Sequence, residues 1–169
     1  MATALRNLTF FTICMALINL NAFADQALSS IKNLQQPNNS QFASGQPKAQ
    51  EFTALKEAGI QHIINLRPVS ETPDLNEEKI VTDNNMRYHN IPIASIADLT
   101  QENVATLDKL LKQIGSEKTL LHCASGNRVG AMMALRANWL QGKSAEDSLA
   151  IGESFGLTRL KPAVNSLLK

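Results

Sequence analysis

Val104, Leu107, Leu110, Leu111 and Ile114 recur at spacings of three and four, the stripe of a helix with one buried face. Thr100 stands where such a helix takes its N-cap, and Gly115 where it ends. Further on, a helix beginning near Val129 carries Ala131, Met132, Met133, Ala134, Leu135, Ala137, Trp139 and Leu140. It is apolar nearly all round, which predicts a buried central helix closed by Gly142. Runs 62–66, 87–91 and 119–122 have the length of strands, the second closed by Pro92. Helices are predicted over 50–58, ended by Gly59, and over 74–84. A short helix over 25–34 precedes a polar turn, 35–40. Ser144 opens another helix, and a last one runs from about 159 to 168 with Pro162 in its first turn. Strands alternating with helices predict an α/β fold, a mainly parallel central sheet flanked by helices. In such sheets ligands bind beyond the carboxyl ends of the strands.

Composition narrows the function classes. Lys+Arg 16 nearly cancels Asp+Glu 15, which argues against a nucleic-acid partner. A 44% hydrophobic content argues against disorder. No run of about 18 apolar residues is present to span a bilayer. Residues 1–24 read as a secretory signal: Arg6, then an apolar core over 8–18, then Ala22-Phe23-Ala24 before Asp25. Cleavage after Ala24 would leave 25–169 as a single domain in the periplasm or outside the cell. It would also remove Cys14, so that Cys123 stands as a solitary thiol in an oxidising compartment.

The chemistry concentrates in His122-Cys123-Ala124-Ser125-Gly126-Asn127-Arg128-Val129-Gly130, where a buried strand turns into the central helix. A short loop there aims successive backbone N–H groups at one point, beside the positive end of the helix dipole. Gly126 allows a positive φ. Ala124, Ser125, Gly126, Asn127 and Arg128 thus make an anion cradle with the Cys123 thiol at its floor. Amides, dipole and Arg128 favour thiolate, a nucleophile.

The stretch Cys123 to Arg128, preceded by His122, resembles the signature loop of cysteine-dependent protein phosphatases. Gly45-Gln46-Pro47, Leu55-Lys56-Glu57-Ala58-Gly59-Ile60 and Ile63-Ile64-Asn65-Leu66-Arg67-Pro68 resemble the dual-specificity/tyrosine-phosphatase-like family. More narrowly, the chain is similar to the bacterial beta-lactamase hydrolase-like phosphatase-like branch, over about residues 41–141. Two departures stand out. Four residues separate Cys123 from Arg128, where phosphatase loops usually hold five; four is usual in rhodanese-type sulfurtransferases, and the named branch also tolerates it. Val129 follows the arginine, where phosphatases commonly place a hydroxyl that eases departure of the thiolate.

The resemblance implies a phosphoric monoester hydrolase working through a cysteinyl-phosphate intermediate, with a phosphorylated protein or a small phosphate monoester as substrate and no metal or other cofactor. Cys123 and Arg128 are its expected catalytic residues, and Asp98, the acid in the loop before the helix that precedes the catalytic strand, its expected proton donor. By the same resemblance His122 supports the loop. Arg67 and Glu71 are either an ion pair near the site or a solvated surface. His62 and His89 read as structural, with no further ligand at metal spacing. Two alternatives stay open: a rhodanese-like sulfurtransferase carrying a persulfide on Cys123, and a catalytically weak oxyanion-binding module.

Overall fold

A computed structural model describes residues 28–168. The expected signal segment lies outside the described residues. The elements run β1 (Gln41–Ser44), α1 (Glu51–Glu57), β2 (His62–Asn65), α2 (Glu77–Asp83), β3 (Arg87–Asn90), α3 (Gln101–Ile114), β4 (Thr119–His122), α4 (Asn127–Gln141), α5 (Ala145–Ser154) and α6 (Lys161–Leu167). The strands form one parallel sheet in the order β1-β4-β2-β3. This is the expected α/β architecture. No helix among the described residues is long and apolar enough to cross a membrane.

Neighbouring residues on a strand point to opposite faces. Ile63 and Leu120 accordingly pack with Phe42, Phe52, Leu55 and Val81 on the face covered by α1 and α2. Ile64 and Leu121 pack with Ala43, Val104, Leu107, Met132 and Leu135 on the face covered by α3 and α4. Both faces are covered, so β2 and β4 are buried throughout. The α3 stripe is as predicted: Val104, Leu107, Leu111 and Ile114 are buried and Leu110 packs against them. Thr100 caps it, its Oγ1 accepting from Asn103 N at 3.2 Å.

The last helix opens at Lys161 rather than at about 159, and four further features differ from expectation, each for a local reason. β1 was not predicted: Gln-Phe-Ala-Ser has no β-branched residue and too few apolar ones to signal a strand, and it exists because β4 offers it an edge. Of the helix expected over 25–34, the first residues lie outside the described ones. From Ser29 on the chain turns, with Leu34 N donating to Ile31 O, and Gln35 pairs with Ala43. The helix expected over 74–84 is shorter, because Asn76 caps α2 by accepting from Lys79 N. The central helix starts at Asn127, two residues earlier than expected, with Gly126 as its N-cap at φ 89°. Arg128 therefore stands inside the first helical turn.

The register sets Ser44, His122, Asn65 and Asn90 side by side at the carboxyl ends of the four strands. Cys123 is the next residue beyond that row. Below it, α4 and α5 cross with their backbones nearly touching: a Cβ on Gly130 would lie 2.2 Å from Leu157 N and 2.5 Å from Gly152 O. That close approach seats the start of α4 and fixes the turn that follows α5. Gly130→Ala is therefore expected to destabilise the fold by about 3 kcal/mol or more, since backbone rather than a side chain must move. Urea unfolding checks it; a variant as stable as the parent would show that the helices separate freely.

Candidate active site

The turn from β4 into α4 brings the predicted loop together. Cys123 is buried, at 1% exposure, and its N–H donates to Ser44 O at 3.3 Å. Its sulfur accepts from Gly126 N at 3.2 Å. That bond needs the left-handed backbone at Gly126, which favours glycine. The N–H groups of Asn127, Arg128 and Val129 open α4 without intrahelical partners. Gly45 pairs with Ser125 and holds the loop against the end of β1.

Arg128 is fixed by three hydrogen bonds. Nη1 donates to Glu71 Oε1 at 2.7 Å and to Ile93 O at 2.5 Å, and Nη2 donates to Glu71 Oε2 at 2.7 Å. A guanidinium has five N–H donors in one plane. The two left over, on Nε and Nη2, form a parallel fork on the edge turned away from Glu71, the geometry that takes an oxyanion bidentately. The hydrogen bond with Glu71 is the main reason that the Arg128 pKa is raised; burial opposes it, and the Cys123 sulfur adds to it. Glu71 shows the converse: chiefly through Arg128, and further through Arg67, its carboxyl is lowered to about 2. It is ionised at neutral pH and holds no proton to donate.

Glu71 is itself held. Arg67 donates from Nε to Glu71 Oε2 at 3.0 Å and from Nη2 to Glu71 O at 2.8 Å. The ion pair left open by the sequence is thus formed and faces the site. Arg67 Nη1 also donates to Gln46 Oε1, and Gln46 Nε2 donates to Glu77 Oε2 at 2.7 Å. The other oxygen of Glu77 lies 2.7 Å from His122 Nε2, both side chains buried. One continuous network therefore runs from the residue before Cys123, around the loop, to Arg128. It explains the Asn65-Leu66-Arg67-Pro68 stretch. Asn65 Oδ1 accepts from Arg67 N, Leu66 is in the core, and Pro68 opens the short 3-10 turn that presents Glu71. Glu77 was not predicted. It neighbours solvated Glu78, and nothing in the sequence separates the two until α2 is docked.

Two residues are occupied differently from expectation. The Oδ1 of Asn127 is taken up by the turn after α5, accepting from Thr158 N at 2.8 Å and Leu160 N at 3.3 Å. Asn127 also lines the cavity over the loop, to which its backbone N–H opens at the start of α4. Asp98 ends a short 3-10 turn, and its Oδ2 accepts from Ala94 N, Ser95 N and Ser95 Oγ. It braces the segment bearing Ala94, Ser95 and Ile96, which lines the cavity over the loop, and is not itself in the lining. Val129 is fully buried in the core. His62 and His89 stack 5.3 Å apart, His62 being the residue that begins β2 and also lying 2.8 Å from Glu117, consistent with a structural role.

A thiol in an amide cradle at the carboxyl edge of a parallel sheet, with an arginine fork beside it, defines a cysteine-phosphatase-type domain. The chain belongs to the family described as PTP-SAK, Swiss Army Knife protein, DSP-PTPase phosphatase domain, whose model matches residues 30–150. That family is one of phosphatase domains. It is 27% identical over 118 residues to the beta-lactamase hydrolase-like protein of Xylella fastidiosa (strain Temecula1), covering 67% of this chain and 27% of that one. The chain thus spans about a quarter of the length of the curated relatives it matches. A DUF442 protein from Shewanella putrefaciens CN-32 is 26% identical, with a TM-score of 0.65 over 84% of this chain and 94% of that one. TpbA from P. aeruginosa, 18% identical, shares the fold with a TM-score of 0.60 over 82% of this chain and 86% of that one.

The lowered Glu71 carboxyl makes a pH prediction. A depressed folded-state pKa contributes stability above the ordinary carboxyl value, and that stability is lost as pH falls through the folded value. Glu71→Gln should lower the urea midpoint at pH 6–7, and the gap to the parent should close as pH falls from about 4.5 to about 2. A gap that is constant over that range would place the effect of the substitution outside the Arg128 pair.

Proposed function

We propose that this chain hydrolyses phosphate monoesters through a phosphocysteine on Cys123, in the periplasm or outside the cell. The observation that carries the reading is the Arg128 fork, left open by Glu71 and Ile93 beside a sulfur that already accepts from an amide of the cradle. In the first step the Cys123 thiolate forms a bond to phosphorus and the bond from phosphorus to the ester oxygen breaks. The fork and the amides of the first α4 turn hold the equatorial oxygens as charge redistributes. Asp98 supplies the proton to the leaving oxygen. Its Oδ2 serves as a cap, which leaves Oδ1 as the oxygen to carry that proton. In the second step water attacks phosphorus and passes a proton to the Asp98 carboxylate, the S–P bond breaks, and inorganic phosphate leaves with the thiolate and the Asp98 acid both restored.

The cavity over the loop measures about 580 Å³. A cysteine-to-serine variant of the structurally similar TpbA was solved in complex with pTyr, which supports an aryl phosphate as first substrate to try. The proposed location rests on Arg6, the apolar core and Ala22-Phe23-Ala24.

Three comparisons test the reading on protein exported by a Gram-negative host, whose intact mass should begin at Asp25. Under reductant it should release phosphate from an aryl phosphate and form no thiocyanate from thiosulfate and cyanide; the reverse pattern would assign a sulfurtransferase. Cys123→Ser should abolish turnover, and Arg128→Ala should lower it about 10²–10³-fold or more, the usual loss for one transition-state donor. Asp98→Asn should slow hydrolysis of phenyl phosphate far more than that of 4-nitrophenyl phosphate, whose leaving group needs little protonation. Equal losses on both would make Asp98 only a brace for its loop.

A further inference from the structure

Arg159 lies outside the motif, yet it is the second cation of the same cavity. It lines the space over the loop together with Arg128, Ser125 and Leu160, and it also lines a smaller adjoining cavity of about 360 Å³ with Ser125 and Thr158. No acidic residue lines either space. Among the described residues Arg159 has neither an ion pair nor a hydrogen bond to its side chain. The neighbouring cation Lys161, by contrast, is neutralised by Glu153. Its backbone is fixed to the anion loop. Thr158 N and Leu160 N, one on each side of it, both donate to Asn127 Oδ1, and Lys161 N closes the turn onto Thr158 O at 3.0 Å. The residue that opens α4 thus carries Arg159 into position, which gives the Asn127 side chain its purpose. Across from the loop the wall is Ala94, Ser95 and Ile96, with Leu160 beside Arg159; Ile96, 50% exposed, and Leu160 supply its apolar surface.

We propose that Arg159 is a specificity-determining residue that binds a second anionic group of the substrate. The substrate class is a phosphomonoester with an apolar or aromatic body that carries a further carboxylate or phosphate. The phosphoryl group sits on the Arg128 fork, the body lies against Ile96 and Leu160, and the second anion meets Arg159. The inference rests on the phosphatase reading for its first anion, but its test does not require turnover. A free guanidinium pairs with carboxylate or phosphate in its own plane, and such a charge-assisted contact corresponds to about a tenfold change in affinity.

The experiment measures binding and turnover with matched ligands. On Cys123→Ser protein, calorimetry compares phenyl phosphate with 3- and 4-carboxyphenyl phosphate, and a phosphotyrosine peptide flanked by glutamate with its glutamine counterpart. The carboxylated or glutamate-bearing member of at least one set should bind about tenfold tighter. Adding Arg159→Ala should erase that preference, and Arg159→Glu should invert it. On the catalytically intact chain the same preference should appear in KM rather than kcat. A preference confined to the peptides assigns the second anion to a protein substrate; one confined to the small esters assigns it to a metabolite. Equal affinity within every set, or a preference that survives Arg159→Ala, overturns the inference. A chain that binds with the predicted preference yet hydrolyses none of these esters would instead overturn the phosphatase reading and leave Arg159 as an anion ligand.

Discussion

Glu71 grips the Arg128 guanidinium from one edge through two 2.7 Å hydrogen bonds, and the rest of the site depends on that grip. An arginine on the first turn of a helix is ordinarily a flexible side chain in solvent. Held at its far edge by a carboxylate and at Nη1 by the Ile93 carbonyl, it becomes a planar surface with one free fork. The order of that fork before substrate arrives is what makes it useful, since a donor already aimed at the developing charge needs no reorganisation. Arg67 and Gln46 hold Glu71 in turn, and Glu77 ties the same network to His122, the neighbour of the nucleophile. Both ends of the loop are thereby anchored to one scaffold.

The backbone makes the complementary contribution. The parallel register leaves β4 ending level with its neighbours, so Cys123 emerges beyond the sheet edge with its N–H already paired to Ser44. Gly126 then turns with a positive φ and places its N–H on the sulfur. Gly130 and Gly152 let α5 approach α4 at backbone distance, which holds the following turn against the loop. That turn carries Arg159. Packing under the site and chemistry at its mouth are connected through a few residues of one helix.

How far these features could be read in advance depended on whether the signal was local. The α3 stripe, the apolar α4 and the Cys123–Arg128 spacing are properties of a few adjacent residues, and each was visible in the sequence. The strand β1 was not, since its pairing with β4 supplies the stability that Gln-Phe-Ala-Ser lacks alone. Glu77 and Gln46 join Arg67 only after α2 and the loop after β1 meet, so their role is a tertiary property. Asn127 was visible as a loop residue, but the direction of its side chain is decided by the turn at Thr158 to Leu160. Arg159 is some thirty residues from the motif and belongs to no local pattern at all.

The account stands on covalent chemistry at one sulfur, and trapping that bond tests it most directly. The chain is mixed with an aryl phosphate for milliseconds, quenched in acid and mapped by mass spectrometry under conditions that preserve S–P bonds. A phosphoryl group on the peptide containing Cys123, stable in acid and removed by iodine, is the predicted result. Turnover of the ester with no phosphoryl group on Cys123, or with the group on Ser125 instead, would contradict it.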